Sequence, residues 1–180
     1  RQLSSVMGIV IYLAPIVPRG FFHLRPLQWL VRELWSPASG RWSDRLTLSP
    51  EVMQMLQWWL TPQILTGVVA SWPTSSATIT TDASLTGWGA CLADQKAYGV
   101  WQHPQLSWHI NALELRAVLL ALNAFAPTVR GRVVRVMLDN RTAVVYLHKS
   151  GGIRSRRLNY LALEVLQCAQ ELEVHLVPVF

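Results

Sequence analysis

The chain has 180 residues, 16 Lys plus Arg against 10 Asp plus Glu for a formal charge of +6, and 51% hydrophobic residues. That hydrophobic share excludes a disordered tail, two cysteines exclude a disulfide-stapled secreted module, and the size suits one ordinary domain with a helical appendage. Fourteen of the 16 basic residues are Arg, whose planar fork of donors suits phosphate, so nucleic acid is an expected partner.

In chain order, the first region carries helical signals. An apolar stretch runs from Leu3 to Leu13, and another from Phe21 to Trp35. The longest apolar run, Val6 to Val17, is broken by Gly8, Tyr12 and Pro15 and is far shorter than the roughly 20 residues that span a bilayer, so no membrane segment is expected. Pro37 to Trp42 reads as a loop. Ser49 then offers an N-cap, Pro50 fits the first helical position, and Met53, Leu56, Trp59 and Leu60 recur at helical spacing. The cluster Ser71 to Ser76, with Pro among serines, marks a boundary. Two parts follow, a helical segment over 1–75 and a domain over 76–180.

The second part begins with three short strands: Ala77 to Asp82, Gly87 to Leu92 and Ala97 to Trp101, an antiparallel meander. A helix from Asn111 to Phe125 follows, then a strand over Val133 to Leu138, helices from Asn140 to Lys149 and from Ser155 to Leu172, and a strand over Val174 to Val177. This order predicts an α/β fold, a mixed sheet flanked by helices. With no initiator Met and no signal-peptide pattern, the chain reads as a piece of something longer that stays inside the cell.

Asp82 and Asp139 each end a predicted strand, where open α/β sheets place their sites. Turn formation or helix capping would also account for either one. In the Asn111 to Phe125 helix, Arg116 and Asn123 define a polar stripe, whereas Glu114 projects about 200° away from Arg116, beside Val118, Ala121 and Phe125. A carboxylate aimed at apolar packing must be neutralised, paired or bound to a cation. A salt bridge to an Arg and a catalytic role both remain open for it. If the three converge, an all-oxygen donor set suits Mg²⁺ or Mn²⁺ rather than zinc, and two such ions serve phosphodiester cleavage without a protein nucleophile.

Other chemistries fit less well. The five histidines and two cysteines lack zinc spacing, Ser84 lacks a nucleophile elbow, and Gly87-Trp88-Gly89 completes neither a dinucleotide fingerprint nor a phosphate loop. Between Val129 and Arg157 the basic residues are Arg130, Arg132, Arg135, Arg141, Lys149, Arg154, Arg156 and Arg157, and the only acid is Asp139. One-signed runs of this kind favour contact with a nucleic-acid backbone. Ser150 to Ser155, glycine-rich ahead of a helix, adds backbone amides that favour phosphate. Trp101 and Trp108 could stack on bases, although core packing is the commoner fate of Trp.

Four blocks in order resemble the ribonuclease H domain of retroelement reverse transcriptases, with the closest likeness to DIRS-type retrotransposons: Thr81-Asp82-Ala83-Ser84 with Gly87-Trp88-Gly89-Ala90, His109 to Val118, Asp139 to Leu147, and Gly151-Gly152-Ile153-Arg154-Ser155. The first 75 or so residues resemble the thumb and connection portion of the same polyproteins, on Arg25-Pro26-Leu27 and Leu56 to Leu60. The resemblance implies a ribonuclease H-like fold and hydrolysis of the RNA strand of an RNA–DNA hybrid. It implies that Asp82, Glu114 and Asp139 hold two Mg²⁺ or Mn²⁺ ions. The residues expected at the nucleic acid are Ser84, Asn140, Arg141, Lys149, Arg154, Ser155 and Arg156, and the polymerase portion of the polyprotein is an expected partner. The family's fourth acidic residue, on a helix after the last strand, has no counterpart before Phe180, so a truncated domain with a weakened ion site is expected. A catalytically silent domain of the same fold, acting as a nucleic-acid-binding spacer, is the alternative. An integrase-like core is disfavoured because Glu114 lies between the two Asp residues.

Overall fold

The computed structural model describes residues 2–17, 19–34, 45, 47–62 and 75–180. The loop expected over Pro37 to Trp42, Trp35, and the part of the boundary from Ser71 to Thr74 lie outside the described residues. Two compact units divide the chain, Arg1–Ser71 and Trp72–Phe180.

The first unit contains α1 (Gln2–Leu13), α2 (Gly20–Leu34) and α3 (Pro50–Trp58). Its core gathers Val10, Ala14, Val17, Leu24 and Trp59, with Phe21 and Trp58 packed against them. The Ser49 hydroxyl accepts from the Val52 amide at 3.4 Å and Pro50 opens the helix, so α3 starts where its capping signal stands. His23 is buried with its ring stacked on Trp58, 3.7 Å between centroids at 10°. Among the described residues no helix is long and apolar enough to cross a membrane.

The second unit is a five-stranded sheet with helices: β1 (Ala77–Ala83), β2 (Gly87–Leu92), β3 (Gln95–Val100), α4 (Ile110–Ala124), α5 (Ala126–Val129), β4 (Val133–Met137), α6 (Arg141–His148), α7 (Arg156–Glu171) and β5 (His175–Val179). Strand order is β3-β2-β1-β4-β5. β1 pairs antiparallel with β2, as does β2 with β3, while β1–β4 and β4–β5 are parallel. This is the mixed sheet expected of a ribonuclease H-like fold. The four-residue α5 was not expected, and β5 begins one residue later and ends two residues later than its apolar pattern suggested.

Along β1 the pleat alternates. Ile79, Thr81 and Ala83 are buried, while Thr78, Thr80 and Asp82 are exposed. α4 packs on β1 and β2 and also against α6 and α7. A helix covered on so many sides is apolar nearly all round, and its buried residues include Leu113, Leu115, Ala117, Val118, Ala121 and Leu122. The expected polar stripe shrinks to a half-exposed Arg116, 4.0 Å from Glu164 of α7, and an exposed Asn123. At Gly87 the neighbouring strand lies so close that a Cβ would fall 2.5 Å from the Gly99 carbonyl, whereas nothing lies within 4 Å of a Cβ at Gly89. Close strand approach therefore requires a glycine at Gly87 and not at Gly89.

Candidate metal centre and nucleic-acid interface

The parallel register of β1 and β4 sets Thr80 opposite Met137. Two residues further along each strand, the chain arrives at Asp82 and Asp139, which therefore end side by side at the carboxyl edge of neighbouring strands. Both are exposed. Glu114 joins them from α4 and is 2% exposed. One carboxylate oxygen from each of the three lies within 4.8 Å of the others.

This cluster is electrostatically unbalanced. The Glu114 carboxyl is pushed up to about 7, first by burial, then by the negative charges of Asp139 and Asp82, with the Ala83 backbone amide pulling the other way through a hydrogen bond. Its Oε2 is buried and has no hydrogen-bond partner. Among the described residues the salt bridge formed is Arg116–Glu164, so the pairing with an Arg left open for Glu114 is not found there. An orphaned buried oxygen beside two exposed carboxylates, with no nitrogen or sulfur donor in the set, fits a hard divalent cation such as Mg²⁺ or Mn²⁺.

The residues expected at nucleic acid are placed in several ways. Ser84 is exposed, and its hydroxyl accepts from the amides of Thr86 at 3.2 Å and Gly87 at 3.1 Å, closing the β1–β2 turn. With Asp82, Gly87, Gly89, Tyr98 and Val100 it lines an open groove of about 530 Å³. Asn140 caps α6, its Oδ1 accepting from the Ala143 amide at 2.9 Å, and its Nδ2 donates to Asn111 Oδ1 at 2.9 Å. Arg141, Lys149, Arg154 and Arg156 are all exposed. Ser155 caps α7 by accepting from the Leu158 amide at 3.3 Å.

Two expectations change. The amides before α7 are already engaged: Gly151 donates to the Tyr146 carbonyl at 2.7 Å, Gly152 to Asn159 Oδ1 at 3.0 Å, and Ser155 to the Tyr146 hydroxyl at 3.0 Å. The segment is held against Tyr146 and Asn159, and those amides are spent inside the fold. Trp101 is 6% exposed, packs with Ala83, Leu113 and Ala117, and donates its indole N–H to the Ser84 carbonyl at 2.8 Å, so it belongs to the core. Trp108 is half-buried beneath Arg157, whose guanidinium lies 5.3 Å from its ring.

Sequence reasoning missed a second groove. It measures about 470 Å³ and is bordered by Trp108, Arg116, Arg156, Arg157, Tyr160 and Glu164. Three guanidiniums and two aromatic rings meet there because α4 and α7 pack together, a proximity that no local pattern carries. The hydrogen bond from Asn140 to Asn111, one helical turn before Glu114, was not expected either.

The family model described as the RNase H-like domain found in reverse transcriptase matches residues 72–167. No curated protein matches the chain at a significant level. Among solved structures, the foamy viral protease-reverse transcriptase in complex with double-stranded DNA is 14% identical with a TM-score of 0.44, over 99% of this chain and 38% of that one. The dRH form of the foamy viral protease-reverse transcriptase, also in complex with double-stranded DNA, is 14% identical with a TM-score of 0.43, over 98% of this chain and 31% of that one. The native prototype foamy virus protease-reverse transcriptase gives 14% and 0.42, over 99% of this chain and 24% of that one. The chain thus spans less than two fifths of the length of each of these structures.

Proposed function

Because this chain belongs to the family of RNase H-like domains found in reverse transcriptase, we propose that it hydrolyses the RNA strand of RNA–DNA hybrids as part of a reverse transcriptase polyprotein. The observation that carries this reading is the meeting of Asp82, Glu114 and Asp139 within 4.8 Å, with a buried Glu114 oxygen lacking any hydrogen-bond partner. The sequence blocks around them favour a DIRS-type retrotransposon as the parent element, with residues 1–75 as the thumb and connection portion next to its polymerase.

In this reading Asp82, Glu114 and Asp139 are the ligands of two Mg²⁺ or Mn²⁺ ions. Bound divalent ions supply an activated water and offset the charge that develops on the phosphate and the leaving oxygen. Asp82 and Asp139, exposed at adjacent strand ends, face the scissile phosphate, and Glu114 closes the site from the helix side. Its burial excludes water from one flank of the cluster. The exposed guanidiniums of Arg141, Arg154 and Arg156 and the Lys149 ammonium bind backbone phosphates, and Ser84 and Ser155 line the path with hydroxyl groups. The groove of Trp108, Arg156 and Arg157 offers cations beside aromatic faces to a second strand.

The test is a labelled RNA–DNA hybrid titrated with Mg²⁺ and Mn²⁺ against the full chain. Expected are cleavage of the RNA strand to products with 3′-hydroxyl ends, no cleavage in EDTA, and no cleavage by Asp82→Asn at largely unchanged hybrid affinity. Tight binding without product under every metal condition would instead establish the silent, hybrid-clamping spacer. Equal loss of binding and cleavage in Asp82→Asn would count against a metal role for that carboxylate.

A further inference from the structure

Capping α6 requires only an acceptor. Ser, Thr, Asp and Asn serve comparably at an N-cap, since each presents an oxygen to the free amides of the first turn. Asn140 meets that need with Oδ1, which accepts from the Ala143 amide at 2.9 Å. Its other half is surplus to capping and is used elsewhere: Nδ2 donates to Asn111 Oδ1 at 2.9 Å. The orientation of both amides is determined by chemistry. A backbone N–H can only donate, so Asn140 must turn its oxygen to Ala143 and its nitrogen to Asn111, which answers with a carbonyl.

The location of this pair gives it meaning. Asn111 lies one turn before Glu114 in α4, and Asn140 is the residue next to Asp139. The hydrogen bond therefore ties the helix carrying one carboxylate to the turn carrying another, by a path of a few covalent links on each side. Both asparagines are half-buried, which shields the bond from competing water. The three carboxylates need such a tie. All three are carboxyl groups, one oxygen of each lies within 4.8 Å of the others, and none of them forms an ion pair among the described residues. Any two of them that are ionised repel each other, which opposes their close approach until a cation offsets the charge.

We infer that the Asn111–Asn140 hydrogen bond is a positioning strut, holding the Glu114 and Asp139 carboxylates at ion-binding separation before a divalent cation enters. The inference rests on the metal-centre reading above and assigns these two residues a role in preorganisation, with neither touching the reacting atoms.

The experiment measures Mn²⁺ binding to the full chain by electron paramagnetic resonance, without nucleic acid. Asn140→Ser keeps the cap and loses the donor, Asn111→Ala loses the acceptor, and the double variant closes a mutant cycle. Each single variant is expected to weaken Mn²⁺ binding about tenfold, the low end for groups that orient metal ligands, and the double variant to be no weaker than either single. The melting temperature in EDTA is expected to stay put. In cleavage assays of Asn111→Ala the Mg²⁺ midpoint should rise while the KM for hybrid at saturating metal does not. Unchanged Mn²⁺ affinity, additive losses, or losses that follow a fall in metal-free melting temperature would each overturn the strut. A raised hybrid KM with normal metal affinity would overturn it too, assigning Asn111 to substrate contact. Asp139→Asn is the control: if it binds Mn²⁺ as well as the parent chain, the metal centre itself is wrong and the strut falls with it. Loss in that control with no effect in the asparagine variants removes the strut alone.

Discussion

His23 in the first unit and Glu114 in the second are both buried ionisable side chains, and burial drives them toward neutrality from opposite directions. The His23 imidazole is pushed down to about 4, by burial first and then by the nearby positive charge of Arg19. It stacks on Trp58, and its Nδ1 lies 3.3 Å from the Met55 sulfur. Once neutral it acts as an aromatic packing group, and the like charge near it belongs to an exposed Arg19 whose guanidinium lies 5.2 Å from the Phe22 ring. The Glu114 carboxyl is pushed up to about 7, and its neighbours Asp139 and Asp82 carry charge of its own sign. Neutralising Glu114 leaves those two carboxylates without an ion-pair partner among the described residues, where a cation from solution would offset them. Both residues have an unpartnered buried atom, His23 Nε2 and Glu114 Oε2. Both residues thus face charge of their own sign when ionised, and what separates the candidate site from the packed residue is that Glu114 has two further oxygen donors within 4.8 Å; burial alone does not decide it.

The arginines of the two units differ less sharply. In the first unit the guanidiniums of Arg19, Arg25 and Arg32 lie 5.2 to 5.3 Å from the rings of Phe22, Phe21 and Trp29. In the second unit Arg130, Arg132, Arg135, Arg141 and Arg154 are exposed. Exposure does not separate the two sets, since Arg19 and Arg32 are exposed as well; among the three of the first unit Arg25 alone is buried, and in the second unit Arg157 also lies over a ring, that of Trp108.

The strongest way to break the first comparison is Glu114→Gln. With the folded carboxyl at about 7 against an ordinary 4.5, the folded state holds the proton more tightly, so metal-free stability is full below about pH 4.5 and is lost as pH rises through 7. The Gln variant is expected to remove that loss, on the order of 3 kcal/mol at pH 8 in EDTA, while abolishing cleavage and the stabilisation given by Mg²⁺. Melting curves against pH, with and without Mg²⁺, check it; equal pH profiles for variant and parent would show that Glu114 is ionised and paired.

A smaller effect is expected from Arg154→Ala with Arg156→Ala. Hybrid affinity should fall, and the slope of log affinity against log salt should flatten by roughly one for each backbone phosphate that is no longer neutralised. Arg32→Ala, which removes a cation over Trp29, should leave that slope alone. Filter binding across a salt series distinguishes the two, and an unchanged slope in the double variant would remove this surface from the interface.

The smallest effect belongs to His23→Phe, which preserves the stack on Trp58. Near pH 7 it should change stability by less than about 1.5 kcal/mol, as volume-conserving core swaps do. At lower pH it removes an acid sensitivity: a histidine held at about 4 when folded stabilises fully above 6.5 and loses that contribution as pH falls toward 4. Between about pH 4.5 and 6.5 the metal-free units should therefore respond to pH with opposite sign. Amide exchange resolved by unit, corrected for intrinsic rates, would show it, and parallel slopes would refute it.

The elements were legible in the sequence to within a residue or two because their causes are local. Ser49-Pro50, Asn140 and Ser155 cap the helices they precede, and the β-branched run within Ala77 to Thr81 forms a strand. The inward aim of Glu114 was legible too, since it depends only on helical periodicity. Trp101 was ambiguous because nothing near it in sequence says whether an indole is covered. The amides before α7 read as available because their partners, Tyr146 and Asn159, are set by how the loop folds back.

Local sequence thus determined which segments are helix or strand, which carboxylates stand at strand ends, and which stretch is rich in Arg, for these follow from spacing and side-chain type within a few bonds. The tertiary structure alone decided that Asp82 and Asp139 lie level across a parallel pair with Glu114 beneath them, that Asn140 reaches Asn111, and that α4 and α7 join three guanidiniums to two rings. Those outcomes depend on strand register and helix packing, which arise from burying one shared core between residues far apart in the chain.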